Sequence, residues 1–290
     1  MHPLARVSVL VCTPVRGGLS PSYKMSTRAL EEWCRTEGIH YDERFAAEAP
    51  VEVARDLLAA EFLAAQTPLG RPYSHCLMID AGIGFSVETI RKLLLADVDF
   101  AAAAAPLRQT RIDEAIARGE ARFAAAFAVP LTRETRETGR MKLASKGGGP
   151  FAQVNGIGGA LMCLKQKVFM RMFDAYPELN HTTGFAYFQP TNLTEDGASH
   201  ATLMREALAE MSRHSTASVD ELRTIARRAL AVATTDAPPM ERCGEDISFC
   251  RRWRALHTAE RPAEIWLLTD AALAHEGHGR WQGNFSDAFT

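Results

Sequence analysis

Three separated positions in this 290-residue chain carry side chains that could do chemistry: Asp80, the pair Glu245-Asp246, and His275. Asp80 ends an apolar run and precedes a tight turn, so its carboxylate could hold a hard cation or a sugar hydroxyl at a strand tip. The acidic pair stands at a predicted helix start, and His275 lies near the end of a later extended segment. Each position alone also fits a structural role, as a strand end, a helix cap or a hydrogen-bonded histidine.

The elements that must position these groups alternate between strand and helix in the first part of the chain. Apolar runs predict strands over residues 7–12, 74–80 and 99–105. Helical spacing predicts helices over residues 27–35, 51–66 and 87–96. This order is typical of an α/β fold whose mixed, mainly parallel sheet carries helices on both faces. Because ligands bind at the carboxyl ends of such strands, we expect Thr13, which with Pro14 should stop the first strand, and Asp80 on one rim.

The rest of the chain is less regular. We expect an exposed excursion over residues 131–150 and a polar, glycine-broken end after His275. Further helices are predicted over residues 112–119, 166–176, 201–211, 219–232 and 247–256. Further extended segments are predicted over residues 121–129, 154–164, 264–268 and 271–275.

Composition restricts the class of protein. A formal net charge of -2, with 47% hydrophobic and 23% charged residues, is ordinary for a globular protein and argues against binding nucleic acid by bulk electrostatics. No apolar stretch approaches the roughly 20 residues that span a bilayer, and we expect neither a membrane span nor a secretion signal. Six scattered cysteines without a CxxC pair predict buried, reduced thiols, and the whole pattern predicts a soluble cytoplasmic protein.

Several short motifs are excluded or remain open. The segment 275–278 reads HEGH and not HExxH, which argues against a zinc protease, and no GxxxxGK[ST] loop is present. Gly156-Ile157-Gly158-Gly159 has part of a dinucleotide fingerprint, but it lies mid-chain without the spacing of the third glycine. We expect these glycines to let the backbone approach a ligand closely.

Six segments together resemble a known family, the GT-A fold nucleotide-sugar glycosyltransferases, particularly a compact phage and bacterial type. They occur in the family's order, cover somewhat over half of the chain, and are specific only jointly. The segments are VSVLVCTP (7–14), VARDLLAAEFL (53–63), HCLMIDAGIGF (75–85), VNGIGGALMCLKQKVFMRM (154–172), GEDISFCRRWRAL (244–256) and EIWLLTDAALAHEGHGRWQGNF (264–285).

The resemblance implies a role for each matching residue. Asp80 would be the first acid of the DxD motif and, with His275, would hold a divalent metal, Mn²⁺ or Mg²⁺, on the diphosphate. Asp246 would be the general base, with Glu245 supporting it or touching the acceptor. The remaining donor-binding residues would be Thr13 and Pro14 at the base, Arg55 near the diphosphate, Ala81 and Gly82 beside Asp80, and Gly158 and Gly159 at the donor sugar.

Two departures from the family pattern matter. The second acid of DxD, usually the direct metal ligand, is Gly82 here, which offers no side-chain oxygen. Water could replace that ligand, basic groups could neutralise the diphosphate instead, or activity could be lost. Asp56 stands where the family commonly has Asn after the arginine, which could alter how Arg55 is held.

These observations lead to one expected function and two rivals. The expectation is a single GT-A domain over residues 1–290, with a donor half (1–106) and an acceptor and catalytic half (107–290). It would transfer a sugar, by default from a UDP-sugar, to a glycan, a small molecule or a modified DNA pyrimidine. A carboxylate base favours inversion, and retention stays open. The rivals are a non-catalytic nucleotide-sugar-binding protein and a nucleotidyltransferase.

Overall fold

The computed structural model describes residues 4–107, 127–181, 184–190, 192–193, 241–277 and 280–286. The strands are β1 (Ser8–Val15), β2 (His40–Ala47), β3 (His75–Ile79), β4 (Ile83–Gly84), β5 (Phe100–Ala103), β6 (Leu143–Lys146), β7 (Gly149–Val154), β8 (Leu161–Lys165), β9 (Asn180–His181), β10 (Gly184–Phe185), β11 (Asn192–Leu193), β12 (Glu241–Arg242), β13 (Ile265–Leu268), β14 (Ala272–Glu276) and β15 (Arg280–Asn284). The helices are α1 (Pro21–Glu37), α2 (Val51–Ala64), α3 (Val87–Leu95), α4 (Arg133–Thr138), α5 (Gln166–Ala175) and α6 (Glu245–Arg254), with a 3₁₀ turn at Pro177–Leu179. The helices predicted at 112–119, 201–211 and 219–232, and most of the strand at 121–129, lie outside the described residues.

A mixed eight-stranded sheet in the order β2-β1-β3-β8-β5-β13-β7-β6 forms the centre of the described structure. Strands β1, β2, β3, β5, β6 and β13 run in one direction, and β7 and β8 run against them. The expected α/β class and the mixed sheet are therefore confirmed. Strands from both expected halves of the chain interleave in this sheet.

Helices cover both faces of the sheet, as the alternation of strand and helix predicts. On one face, Leu10 and Cys12 of β1 belong to a buried cluster with residues of α2, α5 and α6. On the other face, Val9 and Val11 pack in a second cluster with residues of α1 and α3. Because successive side chains of a strand point to opposite faces, one apolar strand serves both cores, and its sequence is an uninterrupted hydrophobic run.

The predicted end of β1 and start of α1 are wrong, for identifiable reasons. Strand β1 does not stop at Thr13-Pro14 but continues to Val15, paired with β2. The pairing of β1 with β3 ends at Cys12. Pro14 therefore lies where β1 has a partner strand on one side only, and a residue without an N–H is tolerated there. Helix α1 begins at Pro21, with Ser20 as its cap, rather than at residue 27. Proline suits a first helical position, because the N–H that it lacks would have no partner there.

Residues 131–150 are largely exposed, as predicted, but they are part of the main fold and not an excursion from it. They contain α4 and most of a hairpin in which β6 pairs antiparallel with β7 at the edge of the main sheet. As an edge strand, β6 alternates exposed and half-buried residues, which accounts for its polar sequence. The predicted strand at 154–164 is also shifted: β7 ends at Val154, and β8 begins only at Leu161. The glycine-rich segment between them is a connection and not a strand.

A smaller three-stranded sheet, β15-β14-β4, joins the C-terminal part of the chain to the turn after Asp80. His275 pairs with Ile83, and the Glu276 N–H donates to the Gly82 carbonyl at 2.8 Å. All six cysteines lie in the described part of the chain and are buried thiols, as predicted. No helix among the described residues is both long and apolar enough to cross a membrane.

Candidate functional site

A cleft of about 860 Å³ opens where β1 and β3 end. The chain leaves β1 through Gly17 and Gly18, whose φ values of 78° and 105° are conformations that other residues rarely adopt. The Ser20 N–H then donates to the Ala81 carbonyl at 2.9 Å, which ties this loop to the turn after β3. The lining residues are Pro14 to Pro21, Ala49, Val51, Asp80 to Gly82, Glu276 and Gly277.

Arg55 of α2 lies beside this cleft, and its side chain is only 2% exposed. Its Nη2 donates to Asp80 Oδ1 at 2.8 Å and to the Gly159 carbonyl at 3.3 Å, and its Nη1 donates to Glu245 Oε1 at 3.1 Å. Burial alone would lower the pKa of Arg55, but the nearby carboxylates of Asp80, Asp246 and Glu245 outweigh burial and raise it. Arg55 is therefore a buried cation that joins two partly exposed acids from distant parts of the chain.

The start of α6 is held by the segment between β7 and β8. Gly159 donates its N–H to Asp246 Oδ2 at 2.9 Å and presents its carbonyl to Arg55. A Cβ on Gly159 would lie 2.2 Å from Arg55 Nη2, so this close approach requires glycine. A Cβ on Gly158 would lie 3.1 Å from the Ala128 Cβ and 3.5 Å from Asp246 Oδ2. These glycines therefore bring the backbone against Arg55 and Asp246, and neither lines the cleft.

The predicted donor-binding residues fall into two groups. Pro14, Asp80, Ala81 and Gly82 line the cleft. Thr13 does not: it is fully buried, and its hydroxyl lies 2.6 Å from that of Tyr23 on α1. The Thr13 side chain is thus placed to hold α1 against β1, one residue from the cleft wall.

In strand β14 it is Glu276, and not the predicted His275, that lines the cleft. His275 Nδ1 lies 2.9 Å from the Pro106 carbonyl, which can only accept a hydrogen bond, so Nδ1 carries the proton. Glu276, on the opposite face of β14, lines the cleft. Its carboxylate accepts hydrogen bonds from the Ser22 hydroxyl at 2.5 Å and the Ser22 N–H at 3.1 Å. Glu276 was not predicted as a site residue. Its position next to His275 in a strand places the two side chains on opposite faces, which is the signal that could have identified it.

Two further buried residues, Asp56 and Arg252, bind the segment that lies beside Arg55. Asp56 accepts hydrogen bonds from the Phe188 N–H at 3.0 Å and Gln189 Nε2 at 3.1 Å, and Arg252 Nη2 donates to the Gln189 carbonyl at 2.9 Å. The Phe188 ring lies with its centroid 5.8 Å from Arg55 Cζ. The acid after the arginine, a departure from the family pattern, therefore fixes the segment on which Arg55 rests.

Asp56 is expected to make stability depend on pH. Burial raises its pKa to about 6, against the lowering effect of the bonds from Phe188 and Gln189 and of the Arg252 charge. The folded chain then holds more protons than the unfolded chain between about pH 4 and 6, so this contribution to stability decreases as pH rises through that window. Two pKa units correspond to at most about 3 kcal/mol.

Asp56→Asn should remove this pH dependence. Between pH 4 and 7 the free energy of unfolding of the wild type should fall relative to that of the variant, measured by urea denaturation at each pH. Exposed Asp174→Asn is the matched control and should run parallel to the wild type. Parallel curves for Asp56→Asn and the wild type would contradict the expectation.

Among the described residues, no group of three or more His, Cys, Asp or Glu side chains is arranged to hold a metal ion. Comparison of the sequence with models of known protein families gave no match, and comparison with curated proteins also gave none. The resemblance to GT-A glycosyltransferases therefore stays a hypothesis.

Proposed function

We propose that the chain is a glycosyltransferase, which moves a sugar from a nucleoside diphosphate, by default a UDP-sugar, to an acceptor hydroxyl. One observation carries the proposal: Arg55 joins Asp80, in the cleft wall, to Glu245, at the start of α6. Arg55 and Glu245 are 190 positions apart in sequence. Residues expected at the donor and at the acceptor therefore meet at one guanidinium.

The cleft suits a nucleotide sugar in size and position. Its volume of about 860 Å³ lies within the roughly 300–1,000 Å³ of small-ligand sites. It also lies at the carboxyl ends of neighbouring parallel strands, β1 and β3, where open α/β sheets bind ligands. The charged side chains that line it include Arg16, Asp80 and Glu276, and Asp80 also forms an ion pair with Arg55 at 2.8 Å.

A divalent cation, Mn²⁺ or Mg²⁺, is part of the proposal, because two acidic side chains line the cleft. Asp80 and Glu276 both line the cleft with carboxylate oxygens, the ligand type that these ions take. Glu276 also lies next to Gly82, where the family pattern has its second acid. His275 could contribute only through Nε2, because Nδ1 donates to the Pro106 carbonyl. A bound cation would neutralise charge that develops on the departing diphosphate.

The chain's own residues would position the acceptor and move its proton. The acceptor oxygen attacks the anomeric carbon, the bond to the diphosphate breaks, and its electron pair leaves with the diphosphate. A carboxylate of the pair Glu245-Asp246 takes the hydroxyl proton. A single base is the arrangement of direct displacement with inversion, which the anomeric configuration of the product reports. The acceptor is proposed to be a glycan, a small molecule or a modified DNA pyrimidine.

Donor binding can be tested by thermal shift with UDP-glucose, other nucleotide sugars and glucose 1-phosphate, each with Mn²⁺ or EDTA. We expect a UDP-sugar at about 100 times its Kd to stabilise the chain by about 2.7 kcal/mol in Mn²⁺, and much less in EDTA. Glucose 1-phosphate, which lacks the nucleotide, is the control. Glu276→Gln should reduce the difference between Mn²⁺ and EDTA.

Thermal shift combined with measurements of product release distinguishes the proposed function from the two rival functions. A shift with UDP-sugars but no release of UDP with any acceptor or with water supports a non-catalytic binding protein. Release of pyrophosphate from a nucleoside triphosphate and a sugar phosphate supports a nucleotidyltransferase. No shift with any nucleotide sugar would contradict the proposed function.

A further inference from the structure

The two carboxylates at the start of α6 have different surroundings. Asp246 uses both oxygens for the backbone: Oδ2 accepts from the Gly159 N–H at 2.9 Å, and Oδ1 accepts from the Ile247 N–H at 2.7 Å. These two hydrogen bonds fix the orientation of the Asp246 carboxylate. They also tie α6 to the connection between β7 and β8. The contacts of Asp246 are those of a residue that holds two segments together.

Glu245 has fewer protein contacts than Asp246. Its Oε1 accepts from Arg55 Nη1 at 3.1 Å, and its own backbone N–H is the other hydrogen-bond donor to the carboxylate among the described residues. The side chain is 25% exposed, so the carboxylate can be reached from solvent while Arg55 fixes it in place. A group that removes a proton must be both oriented and able to reach the hydroxyl.

The charges that face Glu245 come from three other positions. Burial raises its pKa, the carboxylates of Asp246 and Asp80 raise it further, and Arg55 lowers it. A carboxylate whose pKa is raised above its usual range accepts a proton more readily than an ordinary one. The electrostatic environment therefore agrees with the geometry.

We infer that the Glu245 carboxylate takes the proton from the acceptor hydroxyl, and that Asp246 is a positioning residue. This inference rests on the proposed function and reverses the roles that the family resemblance implies for the two acids. In the step, the acceptor O–H bond breaks as the bond between oxygen and anomeric carbon forms. The proton goes to Glu245, and the electron pair of the broken glycosyl–phosphate bond leaves on UDP.

The test compares two nucleophiles with UDP-glucose as donor and Mn²⁺ present. Water must lose a proton when it attacks, whereas azide attacks as an anion and needs no base. Glu245→Gln should lower UDP release in water by about 100-fold or more, the usual contribution of a general base. It should leave the formation of glucosyl azide, measured by mass spectrometry, within about twofold of the wild type. Asp246→Asn, the matched variant, should lower both reactions by the same factor, because it disturbs position and not proton transfer.

Two controls keep the outcomes separate. Glu245→Asp retains a carboxylate and should recover part of the water reaction, and UDP binding by calorimetry shows whether each variant keeps its donor site. Selective loss of the water reaction in Asp246→Asn, or equal loss of both reactions in Glu245→Gln, overturns the assignment and leaves the glycosyltransferase proposal standing. A wild-type chain that binds no nucleotide sugar and releases no nucleoside diphosphate overturns the proposed function itself.

Discussion

Replacing Arg55 by leucine is expected to lower the free energy of unfolding by about 3 kcal/mol. Removing one partner of a buried ion pair costs roughly 3–5 kcal/mol, because the remaining charge stays desolvated. The lower end applies here because both partner acids can rehydrate: the side chains of Asp80 and Glu245 are 32% and 25% exposed. Loss of the bridge should also separate the two parts of the site and abolish detectable transfer.

Urea denaturation and a turnover assay measure the two effects. For a chain of 290 residues, about 3 kcal/mol corresponds to a fall in Tm of roughly 5 °C. Arg35→Leu is the matched control, because Arg35 forms an ion pair with Glu32 whose side chains are 73% and 65% exposed. It should change stability far less than Arg55→Leu does, because solvent screens an exposed ion pair. If Arg55→Leu is as stable as Arg35→Leu, the guanidinium does not hold the site together.

The second large effect is expected from Gly159→Ala. The new Cβ would lie 2.2 Å from Arg55 Nη2 and 2.4 Å from Cζ, so the guanidinium must move. The guanidinium of an arginine can normally move at little cost in free energy, but that of Arg55 is hydrogen-bonded to two carboxylates. We expect a loss of about 1–3 kcal/mol, as for other overpacked sites, and a fall in turnover of about tenfold or more.

A double-mutant cycle identifies the cause of that loss. In an Arg55→Leu background the added methyl group no longer meets a guanidinium, so Gly159→Ala should cost much less there. Gly156→Ala is the control, because its Cβ would meet only the Ile247 side chain at 3.3 Å and two further side chains. Equal costs of Gly159→Ala in both backgrounds would show that the clash with Arg55 is not responsible.

Much of the fold could be predicted from local patterns. Strands β3 and β5 and helices α2 and α3 match their predicted ranges within one to two residues, because each combines an apolar repeat with a clear boundary. The end of β1 was placed too early and the hairpin of β6 and β7 was missed, because these boundaries depend on partner strands. Pro14 is tolerated in a strand only where β3 has ended, and the polar β6 is a strand only because β7 lies beside it.

The candidate site was predicted less completely. Asp80, Glu245 and Asp246 could be identified because a carboxylate at a strand end or a helix start is visible in the sequence. The bridge through Arg55 is a contact between residues 190 positions apart, which no local pattern reveals. His275 was preferred to Glu276 by residue type, whereas the pleat of β14 decides which of the two faces the cleft.

Strand β8 lies between β3 and β5, although it follows both of them in the chain. A fragment that ends at residue 106 would therefore lack the strand that joins β3 to β5, and two hydrogen-bonding edges would be left open in the middle of its sheet. Chimeras that change the ligand preference of the cleft should therefore exchange individual loops around it, because the first third of the chain does not form a separate unit of the sheet.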